Sequence, residues 1–342
     1  MPQLKLSIVI PTRNRAAMLY DTLQSVLAAY EELYKNVECL LIDNGSSDDT
    51  AHVVANFAHS APFTVRYVFE ACPGLHVGRN LGAQLASGEI LAYLDDDVIV
   101  APGWFTAVMQ NFTSQPDLAL LGGPCVPRWE SPPPSWVEKF RVPCGENGWM
   151  ISPLSLVMYS DSQCAIPGQF VFGCNYCVRK DVVLSTGGFH PDGMPPQLLK
   201  FRGDGETGMA CWIEAHGLSI RHDPNVRVEH RVPGNRMTAR YFLGIYKRNG
   251  ISAAYALTRD CEGTSLGIVK NIAKHFISVG MTMLGVVKSA IRKRSALPDI
   301  FLSYAHMVCI THSFKVLFSK KLRGWVVQKS YFLQDPCPYW KK

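Results

Sequence analysis

Acidic side chains nearly disappear from the C-terminal part of this chain. Beyond Ala239 there are 17 Lys+Arg and 4 Asp+Glu, against 17 and 24 up to that residue, so the net charge of +6 divides into −7 and +13. A tail that cannot neutralise itself calls for an anionic partner, a membrane surface or a nucleic acid. No zinc-finger, helix-turn-helix or RNA-binding signature is present, so nucleic acid is not expected. The opening stretch, MPQLKLSIVIPTRNR, holds one early lysine and an apolar run too short for a signal-peptide core or a membrane span, and a cytoplasmic location is expected. The 11 cysteines form no framework. Their one close pair, Cys174 and Cys177, lacks the second pair of a structural zinc site, so reduced thiols are expected and the sequons at Asn44 and Asn111 read as accidental. No GxGxxG follows the first apolar segment, which excludes a dinucleotide-binding oxidoreductase. There is no internal repeat.

What is present is a core. With 47% hydrophobic residues in 342, the chain can fill one large domain plus an appendage. Strand signals at residues 5–10, 37–42, 65–69 and 89–94 alternate with helical spacing at 15–30, 49–58 and 77–87. That order implies right-handed crossovers and a mostly parallel sheet covered by helices, with ligands beyond the carboxyl ends of the strands. Three polar turns come directly after strands, at residues 11–14, 43–48 and 95–97, and should line one edge.

The third turn is the most informative. LAYLDDDVIV carries Asp95, Asp96 and Asp97 between apolar segments, where a solvated acidic turn would more often carry Gly, Ser or Pro. Extended-chain alternation puts Asp95 and Asp97 on one face and Asp96 on the other. Two converging carboxylates suit a hard divalent cation, Mg2+ or Mn2+, whose shell is completed by water and phosphate oxygens.

Further on, Pro124, Pro127, Trp129, Pro132, Pro133, Pro134 and Trp136 exclude regular helix and read as a linker or a lid. Trp129 and Trp136 are either core or platforms for a sugar ring. Strand character resumes over 170–179, a helix is expected from 181, and Gly203-Asp204-Gly205-Glu206-Thr207-Gly208 opens another helix before a strand at 225–230. Its carboxylates are either N-caps or ligand-facing groups. In the tail, FISVGMTMLGVV (276–287) lies between Lys274 and Lys288 and precedes Arg292-Lys293-Arg294. It falls short of the roughly 20 residues a span needs, leaving an interfacial helix with a basic rim or a buried core helix.

The ordered blocks SIVIPTRNR, LLIDNGSSDDT, PGLHVGRNLGAQLASGEILAYLDDDV, FGCNYCVRK with a later GGF, GDGETG and VRVEH resemble the family 2 glycosyltransferases of GT-A fold, over residues 4–232. The resemblance implies an α/β, Rossmann-like fold with a mostly parallel central sheet and flanking helices. Residues 1–239 would form the catalytic domain, split into a nucleotide-binding half (1–123) and an acceptor and base half (124–239). A helical basic region would occupy 240–342.

Pro11, Thr12, Arg13, Asn14 and Arg15 would contact the nucleotide, Asp43 would reach its base, and Arg79 and Asn80 would close over the nucleotide sugar. Asp95 and Asp97 become the ends of a DxD motif holding Mn2+ or Mg2+ against the diphosphate, with Asp96 in support. His230 adds a metal or diphosphate contact, or is an ordinary surface histidine. The base is Glu206 by its spacing to Gly217, or Asp204 by residue type. The implied activity is an inverting hexosyl transfer from a nucleotide-diphosphate sugar, a UDP-sugar first, to a saccharide or lipid-linked acceptor in polysaccharide or envelope glycan synthesis. The tail would rest peripherally on the inner face of the cytoplasmic membrane. A HAD-like phosphatase, whose nucleophile signature LAYLDDDV also fits, and a non-catalytic nucleotide-sugar-binding scaffold are the rivals.

Overall fold

The computed structural model describes residues 4–291 and 295–332. The first apolar runs form strands buried on both faces, as parallel strands under helices must be. In β1 (Leu6–Thr12) and β2 (Val37–Asp43) every residue is buried, while β3 (Thr64–Phe69) is a half-exposed edge. The connecting helices are α1 (Ala16–Ala29), which buries Leu19, Leu23 and Val26 at helical spacing, α2 (Thr50–Ser60) and α3 (Leu75–Leu85). Then come β4 (Ile90–Leu94), β5 (Val98–Val100), α4 (Trp104–Ser114), β6 (Leu118–Gly122) and β7 (Cys125–Trp129). Next are three short strands, β8 (Val142–Cys144), β9 (Gly148–Ile151) and β10 (Leu156–Met158), and after them β11 (Cys164–Ala165), β12 (Asn175–Arg179) and α5 (Lys180–Ser185). The chain continues through α6 (Glu206–Ala215), β13 (Ser219–His222), β14 (Val228–Val232), α7 (Ala239–Asp260), α8 (Ser265–Ile291), α9 (Leu297–Phe318) and α10 (Lys320–Val326).

The main sheet has eight strands in the order β11-β13-β6-β12-β4-β1-β2-β3. The β4-β1-β2-β3 block and the β13-β6 pair are parallel, whereas β12 runs antiparallel to both β4 and β6 and β11 antiparallel to β13, so the sheet is mixed. The strand expected over 170–179 forms only from Asn175, and the one expected at 225–230 only from Val228. A second sheet, β5-β14-β7-β10-β9-β8, stands beside the first. It absorbs part of the expected Pro and Trp loop, because residues 125–129 are strand β7. Pro127 is tolerated there because β10 pairs with β7 only at Cys125 and leaves the rest of that side free.

Helix α3 sits unusually close to β1 because Gly82 faces Val9, where a Cβ would overlap the valine. A glycine inside a helix costs about 0.5–1 kcal/mol, and here it lets α3 carry a buried arginine against the sheet.

The C-terminal helices are not a separate tail. Phe242 of α7 and Phe301 of α9 share one apolar cluster with Val137, Phe140, Ile151 and Val232, so a boundary at Ala239 would cut a single core. Helices α8 and α9 form an antiparallel hairpin, with His275 against His306 and Ser289 bonded to Asp299. The run at 276–287 is the middle of the 27-residue α8, and leaves Phe276, Ile277, Met281, Leu284 and Val287 exposed. Helix α9 is long and apolar enough to cross a membrane, and 44% of that stretch is buried inside the protein. Its interruptions by Asp299, His306 and Lys315 hid it as an apolar run. The basic run Arg292-Lys293-Arg294 lies outside the described residues, as do residues 1–3 and 333–342 of the expected regions.

From α10 onward the chain packs against the segments around Phe201 and Gly187. Trp325 donates to the Phe201 carbonyl (2.8 Å), the Tyr331 N–H to the Gly187 carbonyl (2.8 Å), and the Tyr255 and Tyr331 hydroxyls meet at 2.5 Å. Both sequon amides are buried and hydrogen-bonded, Asn44 to the Glu70 and Cys72 carbonyls and Asn111 to Asp223. Cys174 and Cys177 are buried core thiols, but Cys72 is disulfide-bonded, which corrects the expectation of reduced thiols at that position.

Tyr331 is buried against His190, Tyr255 and Trp325. Tyr331→Ala should lower unfolding stability by about 3 kcal/mol in urea titrations; a loss within experimental error would show that this segment is not fixed to the domain.

Candidate active site

The polar turns at the strand ends do meet. Thr12 Oγ1 donates to Asp96 Oδ2 (2.8 Å), and one Arg15 nitrogen reaches Asp96 Oδ1 (2.8 Å) and Asp97 Oδ2 (3.0 Å). Asn14 adopts φ +53°, which asparagine tolerates, and locks the first turn to the second through Ser46 (2.9 Å) and Ser47 (2.7 Å). The result is a cleft of about 410 Å3 whose wall includes Pro11, Arg13, Arg15, the three aspartates, His230 and Arg236. A larger cavity, about 930 Å3 between Leu33, Phe112 and Arg179, lies at the opposite ends of the strands and holds none of these carboxylates.

The aspartates diverge instead of converging. The strand ends at Leu94 and residues 95–97 enter a turn, so extended-chain alternation no longer applies. Asp95 faces Arg79 (3.3 Å), Asp96 faces Thr12 and Arg15, and Asp97 faces Arg15, Arg236 and His230. No group of three His, Cys, Asp or Glu side chains suited to a metal is gathered among the described residues. Burial pushes the Asp96 carboxyl up to about 6, against the pull of Arg15.

A pair remains that fits a cation. His230 is buried, not a surface histidine. Its Nδ1 donates to the Leu154 carbonyl (2.9 Å), which leaves Nε2 facing Arg236 and Asp97. The Arg236 guanidinium bridges that Nε2 (3.1 Å) and Asp97 Oδ2 (2.6 Å), so positive charge already stands between imidazole and carboxylate. Asp97 Oδ1, buried and 3.3 Å from Nε2, receives no hydrogen bond. An imidazole nitrogen beside a carboxylate oxygen without a hydrogen bond is a donor set that a divalent cation can use.

Arg79 joins this edge to the second acidic cluster. It is buried, with one nitrogen 3.3 Å from Asp95 and the other 3.2 Å from Glu206. Its guanidinium lies against Gly173, where any Cβ would overlap it, and over the Phe189 ring (5.4 Å). Burial works to lower the Arg79 pKa, and Glu206 and Asp95 outweigh it and hold the group firmly charged. Glu206, at the first position of α6, also accepts the Gly173 N–H (3.2 Å). Arg79 links it to Asp95, and the wall of the cleft of about 410 Å3 does not include it. Asp204 is turned to His190 (2.5 Å).

Four expected site residues are engaged elsewhere. Asn80 is fully buried with its amide bonded to the Phe189 and Tyr331 backbone, because it points into the packed side of α3. Asp43 is buried, accepting from the Tyr67 hydroxyl (2.6 Å) and the Ser46 N–H (2.7 Å). Trp136 packs edge-on against Phe140 and Phe242 and, with Trp129, belongs to the apolar cluster under the second sheet. Arg236, Tyr241, Ser155, Gly193 and Pro195 also line the cleft, though the sequence pattern does not mark them. Only Arg236 had a usable signal, since it comes after a strand end as the other site residues do.

Residues 7–175 match the model of glycosyl transferase family 2. The glucosyl-dolichyl phosphate glucuronosyltransferase of Haloferax volcanii is 26% identical over 191 residues, covering 54% of this chain and 56% of that protein. The succinoglycan biosynthesis protein ExoM of Rhizobium meliloti is 27% identical over 258 residues, 73% of this chain and 74% of that protein. The chain thus spans little more than half of the archaeal relative. Among solved structures, a mannosyltransferase from Pyrobaculum calidifontis in complex with GDP-Man and Mn2+ superposes with a TM-score of 0.50 at 16% identity, over 92% of this chain and 74% of that one. That likeness shows the GT-A fold.

His76 fixes one wall of the cleft. Its Nδ1 lies 3.2 Å from both the N and O of Asp192, just before Gly193 and Pro195. Burial lowers its pKa from 6.5 to about 4, against the Asp192 backbone contact. The unfolded chain therefore binds the extra proton more readily, so the stability from neutral His76 is complete above the unfolded value and is lost as pH falls toward the folded one. About 3 kcal/mol should go across that window. His76→Gln should flatten the dependence of urea midpoints between pH 7 and 4.5; an unchanged slope would rule His76 out as its source.

Proposed function

Because the chain belongs to glycosyl transferase family 2 over residues 7–175, we propose that it is an inverting, metal-dependent hexosyltransferase. It takes a sugar from a nucleotide-diphosphate donor, a UDP-sugar first, and passes it to a saccharide or lipid-linked acceptor in envelope or polysaccharide synthesis. The observation that carries this reading is Arg79, which ties a strand-end carboxylate to the carboxylate that opens α6. The donor nucleotide would lie along Pro11, Thr12, Arg13 and Arg15, with its diphosphate near the aspartates.

Asp97 and His230, with Asp95 near by, would hold Mn2+ or Mg2+. When bound, such a cation supplies the counter-charge that a departing diphosphate needs. Glu206 is the base. The acceptor oxygen bonds to the anomeric carbon as the bond from that carbon to the diphosphate oxygen breaks. The electron pair leaves with the nucleotide, and the hydroxyl proton passes to Glu206. Attack opposite the leaving group converts an α-linked donor into a β-linked product. Arg79 would hold Glu206 in place through one guanidinium nitrogen while its other nitrogen stays on Asp95. General-base action of this kind contributes typically 10²–10⁴-fold.

The name of the Haloferax relative supports a lipid-linked acceptor, as does the tail's charge of +13. With its exposed apolar face, α8 supports a peripheral position on the inner face of the cytoplasmic membrane. The phosphatase alternative finds no support among the relatives.

In a transfer assay across nucleotide sugars with Mn2+, Glu206→Gln should keep nucleotide affinity and lose turnover by about 100-fold or more, while Asp204→Asn stays active. The reverse pattern would move the base to Asp204. A wild-type chain that binds nucleotide sugar but turns over none, with any acceptor or with water, would favour the scaffold.

A further inference from the structure

Beside the strand-end cleft lies a second cavity of about 440 Å3, lined by Arg15, Asn235, Arg236, Thr238, Arg240 and Tyr241. Its lining includes no carboxylate, whereas the adjoining cleft has three aspartates. Arg15 and Arg236 are shared with that cleft and paired to its aspartates. Arg240 is exposed and has no ion pair among the described residues. The Thr238 hydroxyl already accepts the Tyr241 N–H, so the positive character of the cavity comes from guanidinium groups rather than from an open helix end. With no carboxylate in the lining, the unpaired Arg240 and the free donors of Arg15 and Arg236 favour an oxyanion, phosphate above all.

The neighbourhood is apolar. Phe242, next to Tyr241, packs on Trp136 and Phe140. One turn on, Tyr246 stacks on Phe301 of α9 (5.5 Å, 25°). Phe301 is flanked by exposed Ile300 and Leu302, and the hairpin brings exposed Val287 and Ile291 of α8 to the same end, where Ser289 bonds Asp299. Cationic cavity and exposed hydrocarbon surface are thus joined through one aromatic cluster. A free sugar needs neither; an amphiphile with an anionic head uses both.

We propose that this cavity holds the phosphate or diphosphate linker of a lipid-linked acceptor, with its hydrocarbon chain running over the α8–α9 end. The proposal rests on the adjoining cleft being the donor site. It fixes the acceptor's sugar beside the aspartates, and Arg240 anchors the acceptor without taking part in the donor site.

The test is a calorimetric titration of the full chain with farnesyl phosphate, with and without saturating UDP and Mn2+, against inorganic phosphate and farnesol. Farnesyl phosphate should bind alongside UDP at least tenfold more tightly than either control. Arg240→Glu should weaken it tenfold or more and leave UDP affinity unchanged. Equal affinity for inorganic phosphate would reduce the cavity to an anion site without lipid. Competition with UDP would return it to the donor, and no effect of Arg240→Glu would place the ligand elsewhere. Failure of UDP to bind overturns the donor reading instead, and the titration without nucleotide still decides whether farnesyl phosphate occupies the cavity.

Discussion

A buried guanidinium between two carboxylates holds the site together. A charge removed from water costs several kcal/mol unless it is paired, and breaking such a pair leaves the remaining charge stranded. Arg79 is paired twice, to Asp95 beyond the end of β4 and to Glu206 at the start of α6. Those residues are far apart in sequence and belong to the expected donor and base halves, so neither half can shift without exposing Arg79. Gly82 lets α3 approach β1 and Gly173 makes room for the guanidinium itself. The Tyr93 hydroxyl bonds the Arg79 carbonyl from beneath.

The same logic extends outward from α3. Asn80, the neighbour of Arg79, bonds to Phe189 and to the Tyr331 carbonyl, so the C-terminal segment is anchored one residue from the central cation. His190 carries Asp204 on one side and packs on Tyr255 and Tyr331 on the other. The basic helical region is therefore part of the same body as the cleft, and its hairpin end presents the exposed apolar surface. A protein built this way joins exposed apolar residues of the hairpin and the strand-end cleft in one packed body.

Much of this was legible in the sequence because strand and helix periodicity is local. Buried runs such as SIVI and LLI announce strands, and the turns after them fall at one edge of the sheet, where Arg15, Asp96 and Asp97 meet in one cleft. Side-chain direction past a strand end is not local. Asp95, Asp96 and Asp97 leave extended geometry together, and each turns to a different set of partners. Arg79 and Asn80 are adjacent in sequence, but on a helix adjacent residues point about 100° apart, so one faces the acidic groups and the other the packed interior. Arg236 reaches Asp97 across 139 residues, a contact that only the second sheet creates. Trp136 could be read as core or as a sugar platform, because composition cannot tell an exposed ring from one sealed by Phe140 and Phe242.

On the proposed reading, Asp97 and His230 form the cation end of a nucleotide-diphosphate site. The most direct measurement is calorimetric titration of UDP and GDP into the full chain with Mn2+ and with chelator, for the wild type and Asp97→Asn. Wild-type binding that requires Mn2+, and its loss in Asp97→Asn with the fold intact by circular dichroism, is the expected result. Nucleotide binding of equal strength in chelator, or an Asp97→Asn chain that binds as the wild type does with Mn2+, would contradict it.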